Sequence, residues 1–117
     1  MKNQAFHQRL GFAVAGLVAA FRNEHSFRFH TLAAVGVLGL LLYFKPAAAW
    51  WAILLLTVTT VLAAELFNTA MEHFADLLHP DQHPQIKLVK DCAAAAVLMT
   101  TLAALGVAVA FLYAMLS

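Results

Sequence analysis

The residues from Cys92 to Leu116 form a run of 25 residues without a charged side chain. A helix of about 20 apolar residues spans the hydrocarbon core of a bilayer, because each residue adds about 1.5 Å along the helix axis. Two further apolar stretches precede this run, at 27–44 and within 47–78. Hydrophobic residues make up 63% of the chain, whereas soluble domains are nearer roughly one half. The sequence therefore predicts an all-α integral membrane protein.

We expect a single membrane domain, 1–117, with a surface helix at about 4–24 and transmembrane helices at about 27–44, 47–78 and 85–116. Apolar residues recur every three or four positions in the first helix, at Leu10, Val14, Leu17, Val18 and Phe21. Such spacing is typical of an amphipathic helix that lies in the membrane interface. Prolines and polar residues predict the breaks after the first two spans, at Lys45-Pro46 and at 79–84.

Positive residues predict the orientation of the spans. Four precede the first span and two precede the third, against Lys45 alone on the other side: Lys2, Arg9, Arg22, Arg28, Lys87 and Lys90. The positive-inside rule then places the N-terminus and the loop before the third span in the cytoplasm. Charges interrupt the first 30 residues, so we expect no cleaved secretory signal. A net charge of +1 argues against a nucleic-acid partner, and the single Cys92 excludes an internal disulfide.

The second span carries the candidate site. Four polar residues share one face of this helix, because steps of three, seven and eleven residues return close to the same side: Glu65, Asn68, Glu72 and Asp76. The segment from Trp50 to Ala64 has no charge, so these side chains enter where the helix leaves the hydrocarbon. Ionisable groups at that depth are candidates for function. The predicted orientation brings Glu24, Lys90 and Asp91 to the same depth.

Acidic residues and a lysine at one cytoplasmic interface suggest a metal and phosphate site. Mg²⁺ is commonly held by one or two carboxylates together with substrate phosphates, which Glu24 and Glu72 could supply. Glu65 could deprotonate the hydroxyl of a lipid headgroup, and Lys90 could offset phosphate charge. Spacing alone also allows a proton relay, as in a proton-coupled transporter subunit, or ion pairs with Lys87 or Lys90 in a structural oligomer. Glu24, taken alone, reads as a surface carboxylate.

The combined pattern resembles one family, the small prokaryotic lipid kinases that phosphorylate diacylglycerol or undecaprenol. The pattern consists of Glu65-x-x-Asn68-x-Ala70-x-Glu72-x-x-x-Asp76, then Lys90-Asp91 ahead of an alanine run, with Arg22-Asn23-Glu24 and Phe27-Arg28 upstream. The resemblance covers residues 8–116. It implies a homotrimer of three-span protomers in the bacterial plasma membrane, with composite active sites between protomers.

The resemblance also implies roles for individual residues. Glu65 matches the catalytic base on the lipid hydroxyl, and Glu24 and Glu72 match the ligands of the Mg²⁺ that is bound with ATP. The positions that line the nucleotide pocket match Asn68, Asp76, Lys90 and Asp91. Arg28 fits the family pattern too, with a structural role or a headgroup contact both open. The surroundings of His30 and of His83-Pro84 favour the undecaprenol kinase branch, with diacylglycerol as the alternative acceptor.

Overall fold

The structure is a computed structural model that describes residues 3–117, and its regular elements are four α-helices. In chain order these are α1 (Phe6–Asn23), α2 (His25–Phe44), α3 (Ala48–Leu78) and α4 (Pro84–Leu116). The last three are long and apolar enough to cross a membrane. The predicted all-α class, with one N-terminal helix and three spans, is thereby confirmed. Lys2, which entered the orientation argument, lies outside the described residues.

A single residue, Glu24, separates α1 from α2. Its backbone is extended, with φ −114° and ψ 114°. Its N–H donates to the Ala20 carbonyl at 2.9 Å, and its own carbonyl accepts from the Arg28 N–H at 3.1 Å. The residue therefore ends one helix and begins the next. Its side chain makes no capping hydrogen bond, so the carboxylate is available for another partner.

The connection between α2 and α3 turns at Lys45, which adopts the left-handed conformation with φ 48° and ψ 56°. The Lys45 N–H donates to the Leu41 carbonyl at 2.9 Å and so closes the last turn of α2. Pro46 follows, and its missing N–H and fixed φ prevent the helix from continuing. The predicted break thus occurs at Lys45-Pro46, within a link of only three residues.

A small core lies beside this turn, where Leu41, Leu54 and Phe111 are buried against one another. The Trp50 ring meets the Phe111 ring edge-on, with centroids 5.3 Å apart. Leu54 precedes Glu65 by eleven residues on α3, which corresponds to about 16 Å along the helix axis. The best-packed part of the protomer is therefore distant from the predicted site.

The turn between α3 and α4 brings these two helices together as an antiparallel pair with the most extensive packing in the protomer. Pro84 opens α4, where its missing N–H costs nothing. The ring nitrogen Nδ1 of His83 accepts from the Gln85 N–H at 3.1 Å and caps the helix. This pair sets the position of Lys90 and Asp91 relative to the polar end of α3.

Large apolar side chains are exposed along all four helices, including Leu17, Leu32, Phe67 and Leu105. The buried residues are few in comparison: Ala20, Phe27, Leu41, Leu54, Val61, Glu65, Ala75 and Phe111. In a membrane protein such surfaces contact lipid tails or further copies of the chain. The protomer therefore has broad apolar surfaces available for both.

Candidate functional site

Glu65 lies on α3 and is the only ionisable residue buried in the described part of the chain, with 3% of its surface exposed. Two side chains of α2 reach its carboxylate. The Ser26 hydroxyl donates to Oε1 at 2.8 Å, and Nδ1 of His30 contacts the same oxygen. Removing a carboxylate from water is costly unless it is paired or hydrogen-bonded, and these two groups supply that pairing. The structure thus buries the predicted base between α2 and α3, beside two polar side chains of α2.

The polar face of α3 runs from the interior of the protomer to its surface. Glu65 is buried, Asn68 and Glu72 are half-buried, and Asp76 is exposed. The Asn68 side-chain oxygen Oδ1 is buried, yet it accepts no hydrogen bond from residues 3–117. Buried polar atoms normally have a partner, so a water molecule, a ligand or a neighbouring copy would supply the donor.

Glu24 approaches α3 from the junction of α1 and α2. One of its carboxylate oxygens lies 3.8 Å from Nε2 of His73, the residue that follows Glu72. Its side chain is 31% exposed, which leaves room for a ligand. The structure therefore brings Glu24 to the same turn of α3 as Glu72.

The two carboxylates near this turn, Glu24 and Glu72, are oxygen donors of the kind that Mg²⁺ accepts. Within residues 3–117 no three His, Cys, Asp or Glu side chains converge as a metal site. A dedicated protein cage is therefore not built there. Mg²⁺ instead commonly keeps water and phosphate oxygens and takes only one or two carboxylates from the protein. Glu24 and Glu72 match that requirement in type and number.

Two lysines of α4 form ion pairs near the α3–α4 turn. Lys90 Nζ lies 2.5 Å from Oδ1 of Asp76 and links α4 to α3, whereas Lys87 Nζ lies 2.6 Å from Oδ2 of Asp91 within α4. Both pairs are exposed to solvent, and such pairs contribute little to stability. The structure brings Asp76 and Lys90 together, as expected for one pocket, while Asp91 is engaged by Lys87. Glu65 and Glu72 form no ion pair with a lysine of the described chain.

Arg28 stabilises the junction between α1 and α2. Its Nη1 donates to the Arg22 carbonyl at 2.8 Å and to the Phe21 carbonyl at 3.3 Å. These carbonyls belong to the last turn of α1, where a cation also interacts favourably with the helix dipole. Of the two roles left open for Arg28, the structure gives a contact for the structural one.

An apolar groove of about 310 Å³ begins at His30 and follows α2, α3 and α4 toward the core. Small side chains make room for it, among them Ala33, Ala34 and Ala104. A second groove of about 620 Å³ separates α1 from α3 and reaches Glu24 and His73. Both grooves therefore adjoin polar residues of the candidate site, the first at His30 and the second at Glu24 and His73.

Sequence reasoning did not assign His30 or Ser26 to the site. The two residues are four positions apart on α2 and so lie on one face of that helix. That pair of polar side chains at the start of an apolar helix was the available signal. Their contact with Glu65 joins residues 35 or more positions apart, which spacing along the chain does not predict.

Comparison with known proteins shows that most of the chain matches one protein family. The family model for prokaryotic diacylglycerol kinase matches residues 11–112. A diacylglycerol kinase of Synechocystis sp. is 41% identical over 96 residues, which cover 80% of this chain and 54% of that protein. The undecaprenol kinase of Bacillus subtilis is 36% identical over 92 residues, covering 79% of this chain and 75% of the relative. A diacylglycerol kinase of Pseudomonas aeruginosa is 31% identical over 86 residues, covering 74% and 70% respectively.

The matched region includes every predicted site residue, from Glu24 to Asp91. The chain spans about half the length of the Synechocystis protein and about three quarters of the Bacillus protein. Two of these relatives are named diacylglycerol kinase and one is named undecaprenol kinase, so similarity alone does not select the acceptor lipid.

Proposed function

Because the chain belongs to the prokaryotic diacylglycerol kinase family, we propose that it is a lipid kinase, which transfers the γ-phosphate of ATP to the hydroxyl of a membrane lipid alcohol. The observation that carries this proposal is the burial of Glu65 on an apolar helix, beside a face that becomes polar toward one end. A carboxylate at that depth meets a lipid headgroup, whereas Glu24, Glu72 and Lys90 lie where a nucleotide enters from water.

In this mechanism Glu65 is the general base. It accepts the proton of the lipid hydroxyl as the hydroxyl oxygen bonds to the γ-phosphorus. The bond from that phosphorus to the β–γ bridging oxygen breaks, and ADP leaves with the electron pair. Phosphoryl transfer requires mainly positioning and charge stabilisation from the protein, so the remaining polar residues have that task.

Glu24 and Glu72 would hold Mg²⁺, which when bound neutralises negative charge on the phosphate oxygens. Lys90 would leave its ion pair with Asp76 and place a further positive charge beside the phosphates of the nucleotide. Its present pair with Asp76 is solvent-exposed, so the exchange costs little. The unpartnered Oδ1 of Asn68 supports a place for this side chain in the nucleotide pocket, together with Asp76 and Asp91.

We place the protein in the bacterial plasma membrane with its N-terminus and active site in the cytoplasm. The distribution of positive residues supports that orientation, and ATP is available on that side. We also propose a homotrimer with active sites shared between protomers. The exposed apolar surfaces of the helices and the orphaned oxygen of Asn68 support a neighbouring copy beside the site.

Undecaprenol is the favoured acceptor, with diacylglycerol as the alternative. The groove that begins at His30 offers an apolar tail a path beside Glu65. Either lipid has an apolar tail and a primary hydroxyl, so the groove supports a lipid acceptor without selecting between them.

The test uses the purified protein in mixed micelles with ATP and Mg²⁺, offered undecaprenol or diacylglycerol separately. We expect ADP release matched by phosphorylated lipid, with a higher kcat/KM for undecaprenol. Omission of Mg²⁺ is the control for metal dependence. A preference for diacylglycerol would reverse the choice of acceptor. Absence of phosphorylated lipid from both reactions, with folded and oligomeric protein, would contradict the kinase proposal and direct attention to ATP-independent proton flux in liposomes.

A further inference from the structure

The two contacts to the Glu65 carboxylate end at the same oxygen. Ser26 Oγ donates to Oε1 at 2.8 Å, and His30 Nδ1 contacts Oε1 as well. No hydrogen bond from residues 3–117 reaches Oε2. His30 Nδ1 is itself buried, and Oε1 is the oxygen that it contacts, so both contacts fall on one oxygen and the capacity of Oε2 is left for another group.

We propose that His30 is the positioning residue of the proposed base: its Nδ1–H donates to Oε1 and holds the Glu65 carboxylate with Oε2 toward the acceptor hydroxyl. The inference rests on the proposed function only for the identity of that hydroxyl. The contact between His30 and Glu65 does not depend on the proposed function. His30 acts through Glu65 and makes no contact with the reacting atoms in this proposal.

The His30 ring is held in place on α2. Its side chain is 19% exposed, and the ring meets the Phe29 ring edge-on with centroids 5.4 Å apart. The same ring also lines the apolar groove between α2, α3 and α4. Because His30 on α2 contacts the carboxylate on α3, it restricts the rotation of the Glu65 side chain. Such restriction matters because a small misplacement of a reacting group lowers the rate strongly.

The tautomer of His30 provides a test that needs no enzymatic activity. Donation from Nδ1 requires the proton on that nitrogen, and the other nitrogen then carries none in the neutral ring. Long-range ¹H–¹⁵N spectra of the ¹⁵N-labelled protein in detergent should show His30 protonated at Nδ1. The His30→Asn variant identifies the signal by its loss. The Nδ1–H signal should change in Glu65→Leu. A ring protonated only at Nε2 and insensitive to Glu65→Leu would overturn the proposal.

Kinetics of two substitutions provide the second test. An asparagine amide nitrogen occupies nearly the place of Nδ1, so His30→Asn should retain kcat within about threefold, whereas His30→Leu should lose about tenfold to a hundredfold. The KM for ATP should stay unchanged in both, since only the lipid hydroxyl is affected. His7→Leu, at an exposed histidine of α1, is the matched control.

Full activity of His30→Leu, or equal losses in the leucine and asparagine variants, would contradict positioning through Nδ1. If His30→Leu fails to fold, the comparison of His30→Asn with wild type still decides, because loss of kcat in the well-folded asparagine variant contradicts the proposal. A wild-type protein without kinase activity would contradict the proposed function alone, while the tautomer measurement would still accept or reject the contact between His30 and Glu65.

Discussion

Glu65 has surroundings unlike those of any other carboxylate in the described chain. Asp76, Asp81 and Asp91 are exposed, whereas Glu65 is enclosed between α2 and α3 with a hydroxyl and an imidazole as partners. No lysine or arginine within residues 3–117 forms an ion pair with it. Burial of an ionisable group is unfavourable to folding, so the presence of Glu65 there is explained better by chemistry than by stability.

Replacement of this carboxylate by its neutral isostere tests the chemistry directly. Glu65→Gln keeps the size of the side chain and removes the proton acceptor, so we expect kcat to fall by about a hundredfold to ten-thousandfold, the usual contribution of a general base. ATP binding, measured by equilibrium dialysis, should remain within about twofold, because the nucleotide groups are elsewhere. The exposed Asp81→Asn variant should behave as wild type. Near-normal turnover of Glu65→Gln would contradict the assignment of the base.

The polar face of α3 from Glu65 to Asp76 follows from helical periodicity and could be predicted from the sequence. The partners of Glu65 could not, because they depend on which face α2 turns toward α3. Arg28 shows the same limit. Its charge and position were visible, but its bond to the Arg22 carbonyl requires the sharp junction at Glu24.

At the scale of helices, the elements end where local chemistry requires. Pro46 and Pro84 prevent helical continuation or open a helix, and both effects are readable in the sequence. The predicted bounds at about 24 and 27 placed the junction between α1 and α2, but they did not predict its reduction to the single residue Glu24. A one-residue break depends on how α1 packs against α2 and α3, which local propensity does not encode.

The ion pair between Asp76 and Lys90 joins α3 to α4. A substitution of Lys90 distinguishes a role in nucleotide binding from a role in holding the helices together. Lys90→Met should raise the KM for ATP by about tenfold to a hundredfold, since a charge-assisted contact to phosphate contributes about 1.5–3 kcal/mol. The free energy of unfolding should change by less than about 1 kcal/mol, because the pair is exposed.

Lys87→Met is the matched control, since it breaks an exposed pair within α4 and should leave the KM for ATP unchanged. Chemical unfolding in detergent and initial rates at varied ATP provide the two measurements. Loss of folding or assembly in Lys90→Met, with normal KM in the protein that remains, would support the structural interpretation instead.

At the scale of the whole molecule, the chain buries few of its large apolar side chains and exposes many of them. Its core of Leu41, Leu54 and Phe111 lies at one end, while the polar site at the other end includes the unpartnered oxygen of Asn68. A hydropathy pattern predicts the number of spans, yet it cannot distinguish a surface that contacts lipid from one that contacts another protomer. The resemblance to a family was therefore needed to propose the trimer.

Assembly should be required for activity. Native mass spectrometry from detergent should show three copies of the 12.7 kDa chain, because in the proposed trimer the site of one copy is completed by the next. Dilution into excess detergent should lower the specific activity together with the trimer fraction, and reconcentration should restore both. A dilution-resistant monomer with full activity would contradict shared sites.

The junction at Glu24 also has a mechanical consequence. Since no loop residue lies between α1 and α2, nothing can absorb a change in the angle between them except the backbone of Glu24 itself. Any tilt of the surface helix relative to the first span must rotate this residue and move its carboxylate with respect to α3. If α1 rests in the headgroup layer and Glu24 holds the proposed Mg²⁺, the depth of α1 and the position of that carboxylate would change together, and the lipid surface would form part of the architecture of the site.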